Sequence, residues 1–353
     1  MAVISREQFQ QVAAALVIGT FGGTVFWWVG LPAPWLAGAM VAVAGAALGG
    51  AIRTAMPKAI TRVVFILLGL QIGGAVTPET METLSRWPSS LVLLAVTMAV
   101  LVLAGVVFYE RVFGWDRATS FFAVMPGALS LSLAMAADTR ADLAKVSVVQ
   151  VIRLFALVAV LPSLINGFSG GCGGTMAMPA AGSLKDLAMV LGAGVVAGFV
   201  FDKLKVPAGL MLGPALASGV MHLTGVVHGV LPDWLLLPGF VFLGTMIGMR
   251  FAGVRPADIM SMAGAALSGL AVALAISTIG AAVVSHLVGI PFAHTMLAFA
   301  PGGLEAMTIM AFALNLDPAY VGSHQIARYV MIALAMPVAW ALVRWLGRKP
   351  ADQ

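Results

Sequence analysis

A stretch of about 20 consecutive apolar residues leaves a polypeptide little freedom. It is long enough to cross about 30 Å of hydrocarbon, and there it must close its own backbone hydrogen bonds as a helix. Runs of roughly 18 to 22 such residues recur along the whole of this 353-residue chain. The residues are 61% hydrophobic and 9% charged, where a soluble domain carries about 25% charge. No soluble fold of this length could bury so much apolar surface. The 40 glycines and 18 prolines sit within these runs, as is usual for membrane helices. The fold class is therefore an all-α polytopic membrane protein, with the lipid bilayer as its principal partner.

A second feature fixes the internal organisation. Shifting the sequence by 175 residues aligns its halves without a gap. Gly19, Gly23, Phe26, Pro32 and Gly38 fall on Gly194, Gly198, Phe201, Pro207 and Gly213. Pro126 and Gly127 fall on Pro301 and Gly302, and Asp142, Gln150, Arg153 and Pro162 on Asp317, Gln325, Arg328 and Pro337. Shared apolar letters would mean little here, but shared Pro, Asp, Gln and Arg at one constant offset mark a duplication. The repeats run over 10–168 and 185–343, joined by a glycine-rich linker, 169–184, too short to be another span. Each repeat reads as six segments, in the first roughly 11–29, 34–51, 60–77, 89–109, 118–137 and 145–166. The fifth is interrupted by Met125-Pro126-Gly127, and its partner by Ala300-Pro301-Gly302-Gly303. Proline removes a donor and glycine loosens the backbone, so each interrupted segment is expected to be two half-helices.

The basic residues orient the repeats. If all six segments span, ten Lys and Arg fall on one side and seven on the other. If the broken segment enters and returns on one side, each repeat has five spans and the second is inverted. Only Arg86 and Lys185 are then outside, fifteen basic residues are inside, and Arg153 and Arg328 lie within the membrane. Positive-inside bias favours inversion and places both termini in the cytoplasm, the protein being set in a bacterial inner membrane. The net charge of +5 follows from these clusters at segment ends. It forms no basic face on a soluble module, so nucleic acid is not an expected partner. The apolar run after Met1–Gln11 lacks an early Ala-x-Ala cleavage pattern and is read as a retained first helix.

Polar residues inside the apolar segments are few. Arg153 and Arg328 are charges at membrane depth, which normally face a cavity or a partner. Gln150 and Gln325 precede them by three residues on the same helical face, and His324 shares the face of Arg328. Guanidinium forks suit carboxylates. The residues after each break, including Gly127, Ser130, Gly302 and Gly303, would open second half-helices whose free N–H groups attract anions. Pro126 and Pro301 make the breaks. These residues form the candidate substrate site for a small-molecule anion. The opposing reading pairs the arginines internally, locking the repeats together with no ligand involved. Glu305 stands where the first repeat has Ser130. It could carry a coupling proton or neutralise Arg328. Asp142 and Asp317, at the entry to each sixth segment, are either further ion-coupling residues or simple helix caps.

Enzyme chemistry finds no footing in the sequence. His222, His228, His286, His294 and His324 are scattered without metal-ligand spacing, and neither a phosphate-binding loop nor a dinucleotide glycine pattern is present. The single Cys172 excludes an internal disulfide framework or a cysteine-rich metal site. No cofactor is expected.

The chain resembles the AbrB/AmoA-like family of duplicated membrane proteins. The resemblance is carried by Leu31-Pro32-Ala33-Pro34-Trp35-Leu36-Ala37-Gly38-Ala39, Gly69-Leu70-Gln71-Ile72-Gly73, Met125-Pro126-Gly127, Gln150-Val151-Ile152-Arg153 and Ala300-Pro301-Gly302-Gly303-Leu304-Glu305. It covers nearly the whole chain. Family labels of this kind suggest a transcriptional regulator or an ammonia monooxygenase, but the sequence contains neither a DNA-binding module nor a copper-type histidine cluster. More distantly, the paired Pro-Gly breaks are similar to those of bile-acid-type and cation–proton-antiporter-type transporters. That similarity implies inverted repeats and a core moving against a frame. The asparagines and paired acidic residues typical of sodium or proton sites in those families are mostly absent here. The expectation is a secondary transporter moving a small organic anion by alternating access, whose frame offers faces for a homodimer. The alternative is a non-transporting membrane regulator or sensor that binds a ligand or a partner protein.

Overall fold

A computed structural model describes residues 6–74, 87–126, 129–137, 139–168, 183–204, 206, 209–228 and 233–346. Residues 169–182 of the linker and Gly127 lie outside the described residues, as do the side chains of Ser130 and Glu305. The first half of the chain forms α1 (Arg6–Val29), α2 (Pro34–Leu48), α3 (Lys58–Gly74), α4 (Trp87–Phe113), α5 (Arg117–Val124), α6 (Leu129–Ala137) and α7 (Leu143–Phe168). The second forms α8 (Leu184–Lys203), α9 (Gly209–Leu223), α10 (Asp233–Gly248), α11 (Pro256–Val288), α12 (Phe292–Phe299), α13 (Leu304–Ala313) and α14 (Pro318–Leu346). A single 3₁₀ turn, Met249–Phe251, follows α10, and no strand occurs among the described residues. Among the described residues, five helices, α1, α4, α7, α8 and α11, are long and apolar enough to cross a membrane. The chain is an all-α polytopic membrane protein.

The 175-residue offset carries into the helices. α2 and α9 coincide when shifted, and so do α5 and α12. The reason lies in shared backbone constraints. Gly22 and Gly38 let α1 and α2 touch backbone to backbone, and Gly213 meets Ala197 in the same way between α8 and α9. Between membrane helices there is no hydrophobic driving force, because lipid is as apolar as leucine. Close packing of small residues supplies the attraction instead. A Cβ on any of these glycines would collide with the carbonyl opposite.

Packing between the halves is reciprocal. Gly69 and Gly73 of α3 lie on Met211 and Ala215 of α9, while Gly244 and Gly248 of α10 lie on Leu36 and Met40 of α2. Each pair maps onto the other under the shift, so a two-fold relation connects the halves. α2 and α10 run parallel, because Leu36 meets Gly244 and Met40 meets Gly248. α4 and α11 run antiparallel, because Tyr109 donates to the Ala265 carbonyl while Thr97 lies against Gly280. The large buried core centres on the broken helices, with Phe121, Phe122, Phe299, Met307 and Met310 essentially inaccessible. Trp340 of α14 packs on Phe121 and Phe122 of α5, with ring centroids 5.5 and 5.2 Å apart, joining the two broken units. The outer faces of α1, α8 and α11 expose Phe21, Trp28, Leu184 and Met260, as surfaces facing lipid do.

Candidate functional site

Each broken helix stops where its proline stands. α5 ends at Val124, with Met125 already extended and Pro126 next; α12 ends at Phe299, with Ala300 extended before Pro301. A helix end leaves its last carbonyls without intrahelical donors. Buried at this depth, they must find donors elsewhere.

α7 supplies them in the first repeat. Arg153, 7% exposed, donates through one terminal nitrogen to the carbonyls of Val124 at 2.9 Å and Ala123 at 3.3 Å. Its other terminal nitrogen reaches the Met125 carbonyl at 2.8 Å. One turn earlier, Gln150 Nε2 donates to the Phe122 carbonyl at 2.8 Å. α14 repeats the arrangement 175 residues later. Arg328, 1% exposed, donates to the carbonyls of Ala300 and Gly302, the latter at 2.6 Å, and to Gln325 Oε1. Gln325 Nε2 donates to the carbonyls of Leu297 and Ala298 at 3.1 and 3.2 Å. The four residues singled out from sequence therefore do come together at the breaks, in pairs. Apart from the bond between Arg328 and Gln325, their described partners are main-chain carbonyls at the end of the preceding half-helix and in the break itself.

This geometry has an electrostatic consequence. The end of a half-helix carries about −0.5 charge and the start of the next about +0.5. A guanidinium set against the negative end overcompensates it. These contributions sum to roughly +1 at the first break on these approximate values. At the second break, Gly303 opens α13 without a side chain that could cap it. Glu305 falls within the first turn of α13.

The aspartates sit apart from the arginine forks. Asp142 Oδ1 accepts from the amides of Ala144 and Lys145, both at 3.1 Å, and its other oxygen lies 3.6 Å from Lys145 Nζ. Asp317 Oδ1 accepts from the amides of Ala319 and Tyr320 at 2.9 and 3.1 Å. Both cap the helices that carry the arginines, fixing where α7 and α14 begin.

Further buried polar groups lie on the helices around the breaks, Ser132 among them as the sequence suggests. Both amide atoms of Gln71 on α3 are buried without a partner among the described residues, as are the hydroxyls of Ser120 on α5 and Ser132 on α6. A buried polar atom left unpaired is costly and calls for a reason. α3 and α14 both pack on α13, where Ile72, Thr308 and Gly322 meet. A narrow cleft of about 10 Å³ beside Arg153, lined by Leu101, Gly105, Tyr109 and Gly269 among others, is about the smallest that holds one water molecule. His324 is fully buried, but it turns to Ser90 and Tyr320 rather than to the break. Among the described residues, no group of three or more His, Cys, Asp or Glu could hold a metal ion.

The family profile described as transition state regulatory protein AbrB matches residues 35–344, which include both breaks and both arginines. The chain belongs to the AbrB family. Two relatives align along most of its length. One, named "Putative regulator AbrB", from Escherichia coli (strain K12), is 29% identical over 332 residues, covering 90% of this chain and 91% of the relative. The other, YhjN of Bacillus subtilis (strain 168), is 27% identical over 315 residues, covering 82% of this chain and 79% of the relative. This AbrB-family chain is thus a membrane-type protein whose family description and relative carry regulator names, although its own described residues are almost entirely helices built for lipid.

Proposed function

We propose that this AbrB-family protein is a secondary transporter that moves a small carboxylate-like anion across the bacterial inner membrane by alternating access. The observation that carries the reading is a guanidinium held against each of two broken helices, in halves related by a two-fold. Inverted repeats with discontinuous helices at mid-membrane are the architecture of such transporters. The parallel α2–α10 pair and antiparallel α4–α11 pair support the inverted arrangement. In the opposite arrangement α2 and α10 would run in opposing directions, and α4 and α11 in the same one.

The mechanism needs no covalent chemistry. Two half-helix starts and two guanidinium groups give the centre of the protein a positive potential in a medium of low dielectric constant. An anion entering there would be held by free N–H groups after each break and by a share of the guanidinium donors. The unpaired amide of Gln71 and hydroxyl of Ser132 are further groups a ligand could satisfy. α5–α7 and α12–α14 would move as a core against a frame made of the other helices, with lipid or a second copy against the frame's outer faces. The two-fold makes the two end states similar in energy.

A thermal-stability screen of the purified protein against small carboxylates, phosphates, amines and neutral metabolites tests this. A ligand at a hundredfold excess over its Kd stabilises the folded state by about 2.7 kcal/mol. Stabilisation by one class of anion, reduced in folded Arg153→Lys and Arg328→Lys variants, is the expected result. If no anion stabilises a well-folded sample, the arginines serve the helix ends alone and a regulator that binds a partner protein becomes the better account.

A further inference from the structure

Three buried polar side chains meet where α4 abuts α14. Ser90 Oγ lies 2.7 Å from Tyr320 Oη and 2.9 Å from His324 Nε2. On its other side, His324 Nδ1 lies 2.8 Å from the Tyr320 carbonyl. A carbonyl only accepts, so in the neutral ring Nδ1 carries the proton and Nε2 is the acceptor. Ser323 Oγ, 3.4 Å from Nδ1, itself donates to the Tyr320 carbonyl, which leaves only its oxygen to offer the ring. The rest of the polarity follows. Ser90 donates its hydroxyl proton to Nε2, and Tyr320 donates its own to Ser90. Every donor has an acceptor.

The cluster belongs to one half only. The positions 175 residues away from Ser90, Tyr320 and His324 hold Ala265, Lys145 and Val149. It also sits between the two bodies that the transport reading sets in relative motion, with Ser90 on the frame helix α4 and the other two on the core helix α14. Trp87 stands edge-on to both rings, at 6.0 and 6.1 Å between centroids. The ring of Phe299, the last residue of α12 before the break, lies 6.4 Å from that of His324. The histidine therefore touches both the frame and the broken helix.

We infer that His324 is the proton-binding group of this protein, and that taking up a proton opens the contact between α4 and α14. The inference deepens the transport reading and rests on it for the meaning of that opening. The step is simple to balance. One proton adds to Nε2, Nδ1 keeps its own, and the ring becomes an imidazolium with two donors. The Ser90 hydroxyl proton and the new N–H then point at each other. Ser90 can reverse and donate to Tyr320 Oη, which displaces the tyrosine's own proton from its acceptor. Otherwise α4 withdraws and water enters. Reversal costs the buried tyrosine hydroxyl its acceptor, whereas separation lets water serve every donor, so the neutral ring favours contact and the charged ring favours separation. Loss of the proton restores the starting polarity. Among the described residues, α4 presents Ser90 and Trp87 to the ring and α12 presents Phe299. α14 itself presents Tyr320, with Asp317 two turns before and Arg328 one turn on. Asp317 is bound to the amides that start α14, and Arg328 to the break carbonyls. No described carboxylate is paired with the imidazole.

The test uses Trp87 as a reporter, since an imidazolium quenches a neighbouring indole. Tryptophan fluorescence of the purified full-length protein is followed between about pH 4 and about pH 9, the range a perturbed histidine covers, with no flux involved. The expected result is a one-proton transition that disappears in both His324→Gln and Trp87→Phe. It should move to higher pH in Ser90→Ala, which lacks the hydroxyl that bonds the unprotonated nitrogen. In vesicles, carboxylate uptake driven by an imposed pH gradient should lose its gradient response in His324→Gln. A transition that survives in His324→Gln overturns the inference, and so does the absence of any transition in the parent. A gradient response kept in His324→Gln but lost in Glu305→Gln also overturns it, placing the proton at the second break. If the parent moves no carboxylate, the transport reading fails while the fluorescence titration still decides the proton site. Ser90→Ala, which alters neither ring, serves should His324→Gln fail to fold.

Discussion

Replacing Arg153 by alanine removes the donor from two well-formed hydrogen bonds, to Val124 and Met125, and one longer bond to Ala123. The carbonyls stay where they are, at the buried end of α5, with Pro126 preventing the helix from continuing past them. A buried acceptor left without a partner costs about 1–3 kcal/mol. Counting only the two short bonds gives a loss of roughly 2–6 kcal/mol in unfolding free energy. Lysine keeps the charge but presents a compact ammonium in place of a planar fork. Arg153→Lys should therefore lose about half as much as the alanine variant, since one carbonyl goes unserved. Gln150→Leu leaves only the Phe122 carbonyl unpaired and should cost about 1–3 kcal/mol. Because the two residues serve one helix end, the double variant should depart from additivity. Denaturant-induced unfolding in mild detergent micelles measures all four. The predicted order of loss is Arg153→Ala, then Arg153→Lys, with Gln150→Leu no worse than the lysine variant. A loss below about 1 kcal/mol for Arg153→Ala, or a lysine variant as stable as the parent, would refute the claim that the guanidinium holds the end of α5.

Other consequences concern topology, packing and the caps. In a Cys172→Ser background, cysteines placed at the exposed positions Ala51 and Lys203 should both react with a membrane-impermeant thiol reagent from the cytoplasmic side only; opposite sides would exclude inverted repeats. Gly213→Leu sets a side chain against the Ala197 carbonyl and the Gly198 amide nitrogen, so it should cost at least about 1–3 kcal/mol as an overpacked contact, measured by the same unfolding assay. A variant as stable as the parent would show that α8 and α9 do not touch so closely. Asp142→Ala should lose about 1 kcal/mol as a helix cap yet leave anion stabilisation in the thermal screen unchanged; loss of that response would bring Asp142 into the ligand site.

Much of the architecture is legible in the sequence because membrane helices advertise themselves through length and because this chain states its plan twice. Pro126 and Pro301 mark the breaks, and the observed half-helices end within two residues of them. The constant offset predicts which residues occupy equivalent places, and the helix bounds obey it. The partners of the arginines were not legible in the same way. A carbonyl belongs to every residue and leaves no trace in composition, so Arg153 and Arg328 read equally well as ligand-binding or internally bonded. Their fixed spacing of 28 residues from the last carbonyls of the preceding half-helix was the available signal, since the second half-helix leads away from the break and, after a loop, a similar length of the next helix returns level with it. Of the Ser90–Tyr320–His324 cluster the sequence marks only His324, and there as a companion of Arg328, for the opposite reason. It breaks the repeat, and it joins residues more than 200 positions apart. The contrast of His324 with Val149 is visible in the sequence, and the same contrast of Ser90 with Ala265 was the signal for its partner.

Transport requires that the AbrB-family fold move an anion rather than only sense one. Counterflow measures this directly: purified protein is sealed into lipid vesicles loaded with an unlabelled small carboxylate, and entry of the same labelled compound is followed after dilution. Label should accumulate transiently above its external concentration for at least one carboxylate, and should not do so in protein-free vesicles or in vesicles loaded with an amine. A protein that is stabilised by a carboxylate yet shows no counterflow of it would be a binding protein in the membrane, and the alternating-access account would be wrong.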